Sequence, residues 1–237
     1  MPKTLIVTPT YNERENIEEL VKKISGCGIS DFKVVVVDDN SPDGTAELAE
    51  KLASKFPLLV LKRERKSGLG TAYVHAFKKI LAGEFGENPD FIIQMDADLS
   101  HDPQIIPKMI AAAENHDLVL GSRYIAGGNI QNWDFKRKLL SRFGNAYART
   151  VLGLPYRDLT GGFKCFKRHV LENIDLDSLS SVGYNFQIET THKTHLAGYK
   201  IKEIPITFTE RKKGRSKISL PIILESFWKV FALRFGK

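Results

Sequence analysis

Two aspartates one residue apart, Asp96 and Asp98, close an apolar run in FIIQMDADLSHDP, residues 91–103. Alternate side chains on an extended chain face the same side, so both carboxylates can converge on one point. There they repel each other unless a cation neutralises them, and hard oxygen ligands suit Mg²⁺ or Mn²⁺. A DxD pair alone is a weak motif. Solvated turn residues give the same letters, and Ser100 or Asp102 ahead of Pro103 suits a helix N-cap. His101 fits either a structural or exposed histidine or a neighbour of the ligand set.

Context strengthens the pair. VVVVDDNSPDG, residues 34–44, is a second strand ending on carboxylates, Asp38 and Asp39, and TPTYNE, residues 8–13, presents Pro9, Tyr11 and Glu13 at a third end. A parallel sheet would gather these ends around one crevice. Such a crevice suits a nucleotide, with Tyr11 or Pro9 against the base and carboxylates accepting from base N–H and ribose O–H groups. Ser41-Pro42-Asp43-Gly44 reads as an Asx turn. Neither GxGxxG nor GxxxxGK[ST] occurs, and KSGLGTAY at 66–73 keeps only part of a glycine pattern, which argues against a dinucleotide dehydrogenase or a P-loop ATPase. A metal on Asp96 and Asp98 would then have to handle a diphosphate.

Cations cluster in three places: Arg123 in GSRY, Lys136-Arg137-Lys138 ahead of Ser141, and ERKKGRSK at 210–217. Lys212 and Lys213 fit a solvated face equally well. Gly214 followed by Arg215, Ser216 and Lys217 reads as a loop able to close over phosphates.

The positioning elements follow from hydrophobic period. Strand patterns at Thr4–Thr8, Lys33–Val37, Leu58–Leu61, Phe91–Gln94 and Asp117–Leu120 alternate with helical ones at Glu13–Ile24, Thr45–Ser54, Gly70–Leu81 and Pro103–Ala113. This is the βαβ pattern of a parallel sheet with ligands at its carboxyl edge. Asn12 and Glu15 suit a capping box for the first helix, and Gly121–Asn132 reads as loop. The 237 residues suit a single domain, residues 1–237, with a nucleotide-binding half (1–120) and an elaborated second half (121–237). The net charge of +7 favours anionic partners, and two cysteines are too few for a disulfide framework. No signal peptide or spanning segment is recognised. RNP-like aromatics and zinc spacing are missing, which speaks against nucleic acid.

Two apolar stripes mark the second half: Leu139, Leu140, Phe143, Tyr147 and Val151, then Ile223, Leu224, Phe227, Trp228, Phe231 and Phe235. Such spacing is ordinarily the core face of a helix. With basic residues alongside, it also fits a helix lying in a membrane interface.

Taken together, TPTYNERENI, VVVVDDNSPDGT, GLGTAY, MDADLSHDP, GSRY, DLTGGF and RKKGRSK resemble the dolichyl- or polyprenyl-phosphate mannose synthases, from residue 4 to about 220. These are inverting glycosyltransferases of the GT-A fold. TPTYNE and DAD occur across many inverting sugar transferases; the later motifs and WDFKRKLLS at 133–141 are specific to the polyprenyl-phosphate branch. The resemblance implies a Rossmann-like, mostly parallel sheet flanked by helices, with C-terminal amphipathic helices. It implies mannose transfer from GDP-mannose to dolichyl or polyprenyl phosphate with inversion; UDP-glucose or another nucleotide sugar is the alternative donor. Pro9, Tyr11, Glu13, Val37 and Asp39 would bind the nucleotide, and Asp96, Ala97 and Asp98 would line the metal and diphosphate. Ser100 would join Asp96 and Asp98 at Mg²⁺ or Mn²⁺. Arg123, Arg211 and Lys217 would grip phosphates, while Arg123, Arg137 and Ser141 would receive the lipid phosphate. Asp98, Arg123, Arg137, Arg211 and Lys217 are thus the expected catalytic set. A peripheral enzyme on the cytoplasmic face of the endoplasmic reticulum or of a prokaryotic plasma membrane is implied, with small membrane-anchoring subunits as further partners.

Overall fold

Four β-branched runs become the first strands. β1 (Thr4–Thr10) pairs in parallel with β2 (Phe32–Asp38) on one side and β4 (Phe91–Gln94) on the other, and β3 (Leu58–Lys62) continues beyond β2. The computed structural model describes residues 3–86, 88–179, 181, 183–210 and 220–236. β4 then pairs with β7 (Lys164–Lys167) antiparallel, β7 with β5 (Leu118–Ser122) antiparallel, and β5 with β8 (Ile201–Pro205) parallel. The order is β3-β2-β1-β4-β7-β5-β8. The sheet is mostly parallel as expected, with one reversed strand inserted between β4 and β5. Because β7 runs backwards, the turn leading into it arrives at the edge where β1, β2 and β4 end.

Helices cover both faces. Ile17, Leu20, Val21 and Ile24 of α1 (Arg14–Ser25) pack with α2 (Thr45–Leu52) and α4 (Ile106–Ala113) against Ile6, Val34, Val36 and Ile93. The alternate residues Leu5, Val7, Val35, Val37 and Ile92 meet α3 (Leu69–Leu81), α6 (Arg168–Asn173) and the start of α7 (Tyr184–Leu196). Burial on both faces explains why β2 reads as an unbroken valine run rather than an alternation. A smaller third cluster joins α5 (Phe135–Leu152), α7 and α8 (Leu220–Phe235) through Ala148, Leu152, Ile188 and Val230.

Three local expectations change. The Asn12–Glu15 capping box does not form: Asn12 sits at φ 61°, and Glu13 takes the N-cap without a side-chain cap bond. The Arg14 N–H is satisfied instead by Asp43 Oδ2 at 3.1 Å, from the loop after β2. Within 121–132, expected as loop, β5 runs on to Ser122 and Asn129–Gln131 forms β6, paired in parallel with β9 (Thr207–Thr209). Most consequentially, the α5 stripe divides. Tyr147 and Val151 pack on the third cluster, whereas Phe135, Leu139 and Phe143 lie exposed, Phe143 at 58%. α8 divides likewise: Val230 is buried, but Trp228 is 74% exposed and Phe231 and Phe235 are exposed too. Of the anticipated N-caps near Pro103, Asp102 serves, accepting from Gln104 N–H at 3.0 Å.

Candidate active site

At the end of β2, Asp38 is fully engaged. It accepts from the Thr10 hydroxyl at 2.8 Å and from the Ser41 hydroxyl and N–H at 2.6 and 2.8 Å. That makes it a clamp between the β1 and β2 ends, and the Asx turn forms further on, at Asp43, which accepts from the N–H two residues later. Asp43 accepts in turn from the Thr45 hydroxyl and N–H. Partial burial pushes its carboxyl up, but these bonds and the one from Arg14 outweigh it and hold the group below the usual range. Asp39 pairs with Arg63 at 2.6 Å, and Arg63 also donates to Thr71 of α3 at 2.9 Å. Glu13 accepts from Asn16 at 2.7 Å. Lys66 covers one face of the Tyr11 ring at 3.9 Å. Pro9 and Tyr11 keep partial exposure, but Val37 does not: its side chain is wholly inside the core and its strand is paired on both sides, so it has no surface to offer a nucleotide.

Asp96 and Asp98 do share a site. Both line a cavity of about 180 Å³ with Arg123, Arg137 and Ser141. Residues Pro9, Tyr11, Glu13 and Asp39 lie outside that lining. Asp98 accepts from Ser100 N–H at 3.1 Å. Ser100 itself is buried off the lining, tied through its carbonyl to Thr209 N–H at 3.1 Å, and Ala97 is buried in the core beneath. His101 stacks on Phe163, and its Nδ1 accepts from Asp96 N–H at 3.3 Å. Burial lowers its pKa to about 4 despite the pull of Asp98, so the ring is neutral with its proton on Nε2.

Space beside Asp96 comes from Gly162 in the turn before β7. A methyl group there would sit 3.4 Å from both carboxylate oxygens. Among the described residues, no three His, Cys, Asp or Glu side chains are grouped to hold a metal. Mg²⁺ commonly binds through one or two carboxylates, with water and substrate phosphates completing its shell. Two aspartates beside a glycine-lined space fit that pattern.

The cationic side is built from motifs distant in sequence. Arg123 is held by Asp158 in a two-pronged buried pair, Nε and Nη2 at 2.7 Å, and Nη2 also donates to Thr160 at 2.8 Å. GSRY and DLTGGF are therefore one unit. Arg137 pairs with Glu210 at 2.5 Å and lies 4.0 Å over the Trp133 ring. Arg137 Nε and Trp133 Nε1 are buried without a hydrogen-bond partner among the described residues. Ser141 Oγ accepts from Tyr124 OH at 2.6 Å. Leu140, Gly144 and Tyr147 of α5 and Phe227 and Val230 of α8 complete an apolar wall. Arg211 and Lys217 lie outside the described residues. Sequence reasoning did not find Arg63, Trp133, Asp158, Asn185 or Gln187 as site residues. Only the motif setting of Trp133 and Asp158 offered a signal.

A seven-stranded, mostly parallel sheet thus carries a carboxylate pair at its edge, and relatives say which family it serves. Residues 5–175 match the Glycosyl transferase family 2 model, and the chain belongs to that family. It is 41% identical over 231 residues to the polyprenol monophosphomannose synthase of Mycolicibacterium smegmatis, covering 96% of this chain and 85% of that one. It is 40% identical to the undecaprenyl-phosphate mannosyltransferase of Micrococcus luteus, covering 94% and 90%. To the dolichol-phosphate mannosyltransferase of Pyrococcus furiosus it is 37% identical, covering 98% of this chain but 63% of that longer protein. Among solved structures, glucosyl-3-phosphoglycerate synthase from Mycobacterium tuberculosis, in complex with Mn²⁺, UDP and phosphoglyceric acid, superposes with a TM-score of 0.72 at 19% identity over 99% of this chain and 79% of that one. That likeness concerns the fold.

Proposed function

We propose that this chain transfers mannose from GDP-mannose to dolichyl or polyprenyl phosphate with inversion, releasing GDP. The observation that carries the reading is a single cavity lined by two carboxylates, two arginines and a wall of α5 and α8. Those two helices also carry the exposed aromatics. A phosphate that must stay attached to a lipid needs such a site next to an apolar surface. The names of the three relatives support mannose transfer and a polyprenyl or dolichyl phosphate acceptor.

Asp98 and Asp96 would hold Mg²⁺ or Mn²⁺, which supplies charge neutralisation at the donor diphosphate when bound. Pro9, Tyr11, Glu13 and Asp39 would take the nucleotide, with Arg63 fixing Asp39 in place. Arg123 and Arg137 align the acceptor phosphate, with Trp133 N–H and Ser141 as neutral partners. A phosphate monoester, with a second pKa of ~6, is already largely ionised near neutral pH, so it attacks without a general base. A phosphate oxygen forms the new bond to the sugar's anomeric carbon. The bond from that carbon to the GDP oxygen breaks, its electron pair leaving with GDP, and the α-linked donor gives a β-mannosyl phosphate. Arg211 and Lys217 would grip the departing diphosphate.

No helix among the described residues is long and apolar enough to cross a membrane. We place the exposed faces of α5 and α8 in the cytoplasmic leaflet of the membrane that carries the acceptor, with small anchoring subunits as candidate partners. Radiolabel transfer from GDP-mannose and from UDP-glucose to a polyprenyl phosphate, with Mn²⁺, Mg²⁺ or chelator, tests the reading. Lipid-linked mannose that disappears with chelator is expected. Product from UDP-glucose alone would overturn the donor, and full turnover in chelator would overturn the metal.

A further inference from the structure

The cavity has a third wall that the reaction described above leaves unused. Asn185 and Gln187, on the first turn of α7, line it beside Asp96 and are only 3% and 1% exposed. Asn185 Oδ1 and Gln187 Nε2 have no hydrogen-bond partner among the described residues. Buried amide atoms left unpaired are costly, and folded proteins keep few of them.

Their surroundings hold these side chains in place. Gln94 of β4 donates to Gln187 Oε1 at 2.5 Å. The fully buried Lys164 of β7 donates to the Gln187 carbonyl at 2.6 Å and to the Thr190 and Thr191 hydroxyls at 2.9 Å each. The helix start is brought in by Gly70, where a Cβ would meet the Ser181 carbonyl oxygen at 2.5 Å and Phe186 at 3.0 Å. Two residues that each keep an unpaired buried amide atom thus line the cavity on a rigid frame.

We propose that Asn185 and Gln187 form the hexose subsite and select the sugar by its hydroxyl pattern. Asn185 Oδ1 accepts from one hydroxyl and Gln187 Nε2 donates to another. Both groups are neutral and Asp96 lines the same cavity, so the subsite takes an uncharged hexose and disfavours a uronic acid. The inference rests on the proposed transferase reading for the presence of a nucleotide sugar, and on this wall alone for how the sugar is chosen. A site built to hydrogen-bond a hydroxyl discriminates strongly against an analogue lacking it, because its own buried groups are then stranded.

The test is calorimetric titration of the whole chain, with Mn²⁺ present, by GDP, GDP-mannose and the monodeoxymannose series of GDP-mannose. Wild type is compared with Asn185→Ala and Gln187→Met, and thermal melting checks that each variant folds. We expect wild type to bind GDP-mannose ~10-fold or more tighter than GDP. Each variant should lose most of that advantage, bind GDP within about twofold of wild type, and no longer distinguish mannose from the one deoxy sugar that wild type rejects. Retention of the full sugar advantage in both variants would overturn the subsite, as would equal weakening of GDP and GDP-mannose. Should Gln187→Met fail to fold, Gln187→Glu keeps the shape and is read the same way. If UDP-glucose rather than GDP-mannose binds and turns over, the donor assignment falls, and loss of the glucose increment in the same variants still reports on the subsite.

Discussion

Two strand ends in this molecule carry paired aspartates, and they do different things with them. At the end of β2, Asp38 is consumed by Thr10 and Ser41, Arg63 holds Asp39 in place, and Asp43 of the loop that follows accepts from the start of α1. At the end of β4, Asp96 and Asp98 line a cavity whose other walls come from Leu69, His101 and residues within 123–230. The difference lies in what the fold brings opposite each pair. β2 is faced by the ends of the strands beside it, through Thr10 of β1 and Arg63 just after β3, whereas β4 is faced by the turn into the reversed strand β7, and Gly162 there supplies no side chain. A carboxylate pair becomes a site where the opposing backbone stands back.

Removing the support of the cavity should have the largest effect. Asp158→Ala strips the buried Arg123 of its partner, and breaking such a pair costs about 3–5 kcal/mol. A matching drop in the urea-derived stability, with transfer activity gone, is expected; unchanged stability would mean that Arg123 is held elsewhere. Asp98→Ala should separate chemistry from fold. Transfer should fall ~10²–10³-fold with the melting temperature nearly unmoved, read by radiolabel assay and thermal scan. Loss of less than tenfold would remove Asp98 from the site.

The β2 end predicts the reverse profile. Asp43→Asn should lower stability by about 1 kcal/mol at pH 7 while leaving the rate of transfer at saturating donor near wild type. The sign with pH follows from the lowered carboxyl. Its stabilisation is present above an ordinary Asp value of about 3.9 and is lost as pH falls through the depressed folded value. The gap between wild type and Asp43→Asn should therefore close in acid, as followed by urea midpoints at pH 7 and pH 3. A gap that widens in acid would contradict the hydrogen-bond pattern described.

The smallest effect on folding should come from the outer faces. Trp228→Glu with Phe231→Glu should change stability by under about 0.5 kcal/mol yet release the protein from liposomes in a flotation assay. Unchanged flotation would detach these aromatics from the membrane.

Much of this was legible beforehand, for physical reasons. Runs such as Val34–Val37 and Phe91–Gln94 carry their own strand signal, and the fold follows from their alternation with helices. Long-range partners were less visible. The first turn of α1 is capped by Asp43 rather than Asn12 because the β2 loop folds back over it, which no local window contains. Arg63 meets Asp39 across 24 residues of chain, and Gln94 meets Gln187 across 93. β6 and β9, three residues each, are too short to carry a period. The α5 stripe misleads from either side: an apolar repeat gives the same letters for a core face and for an exposed face, and here one helix holds both.

The reversed strand has a consequence for synthesis. β4 has every side chain buried and, on its outer edge, only β7 as a partner, 76 positions later at the Phe91–Lys167 pairing. While the chain emerges from the ribosome, that apolar edge is unpaired until residues 164–167 arrive. An open edge of this kind is a template for association with another chain. An amino-terminal fragment ending near residue 120 should thus be handed to chaperones or aggregate, and the active-site cavity, which needs Asp96 and Gly162 together, is assembled by the same event that closes this hazard.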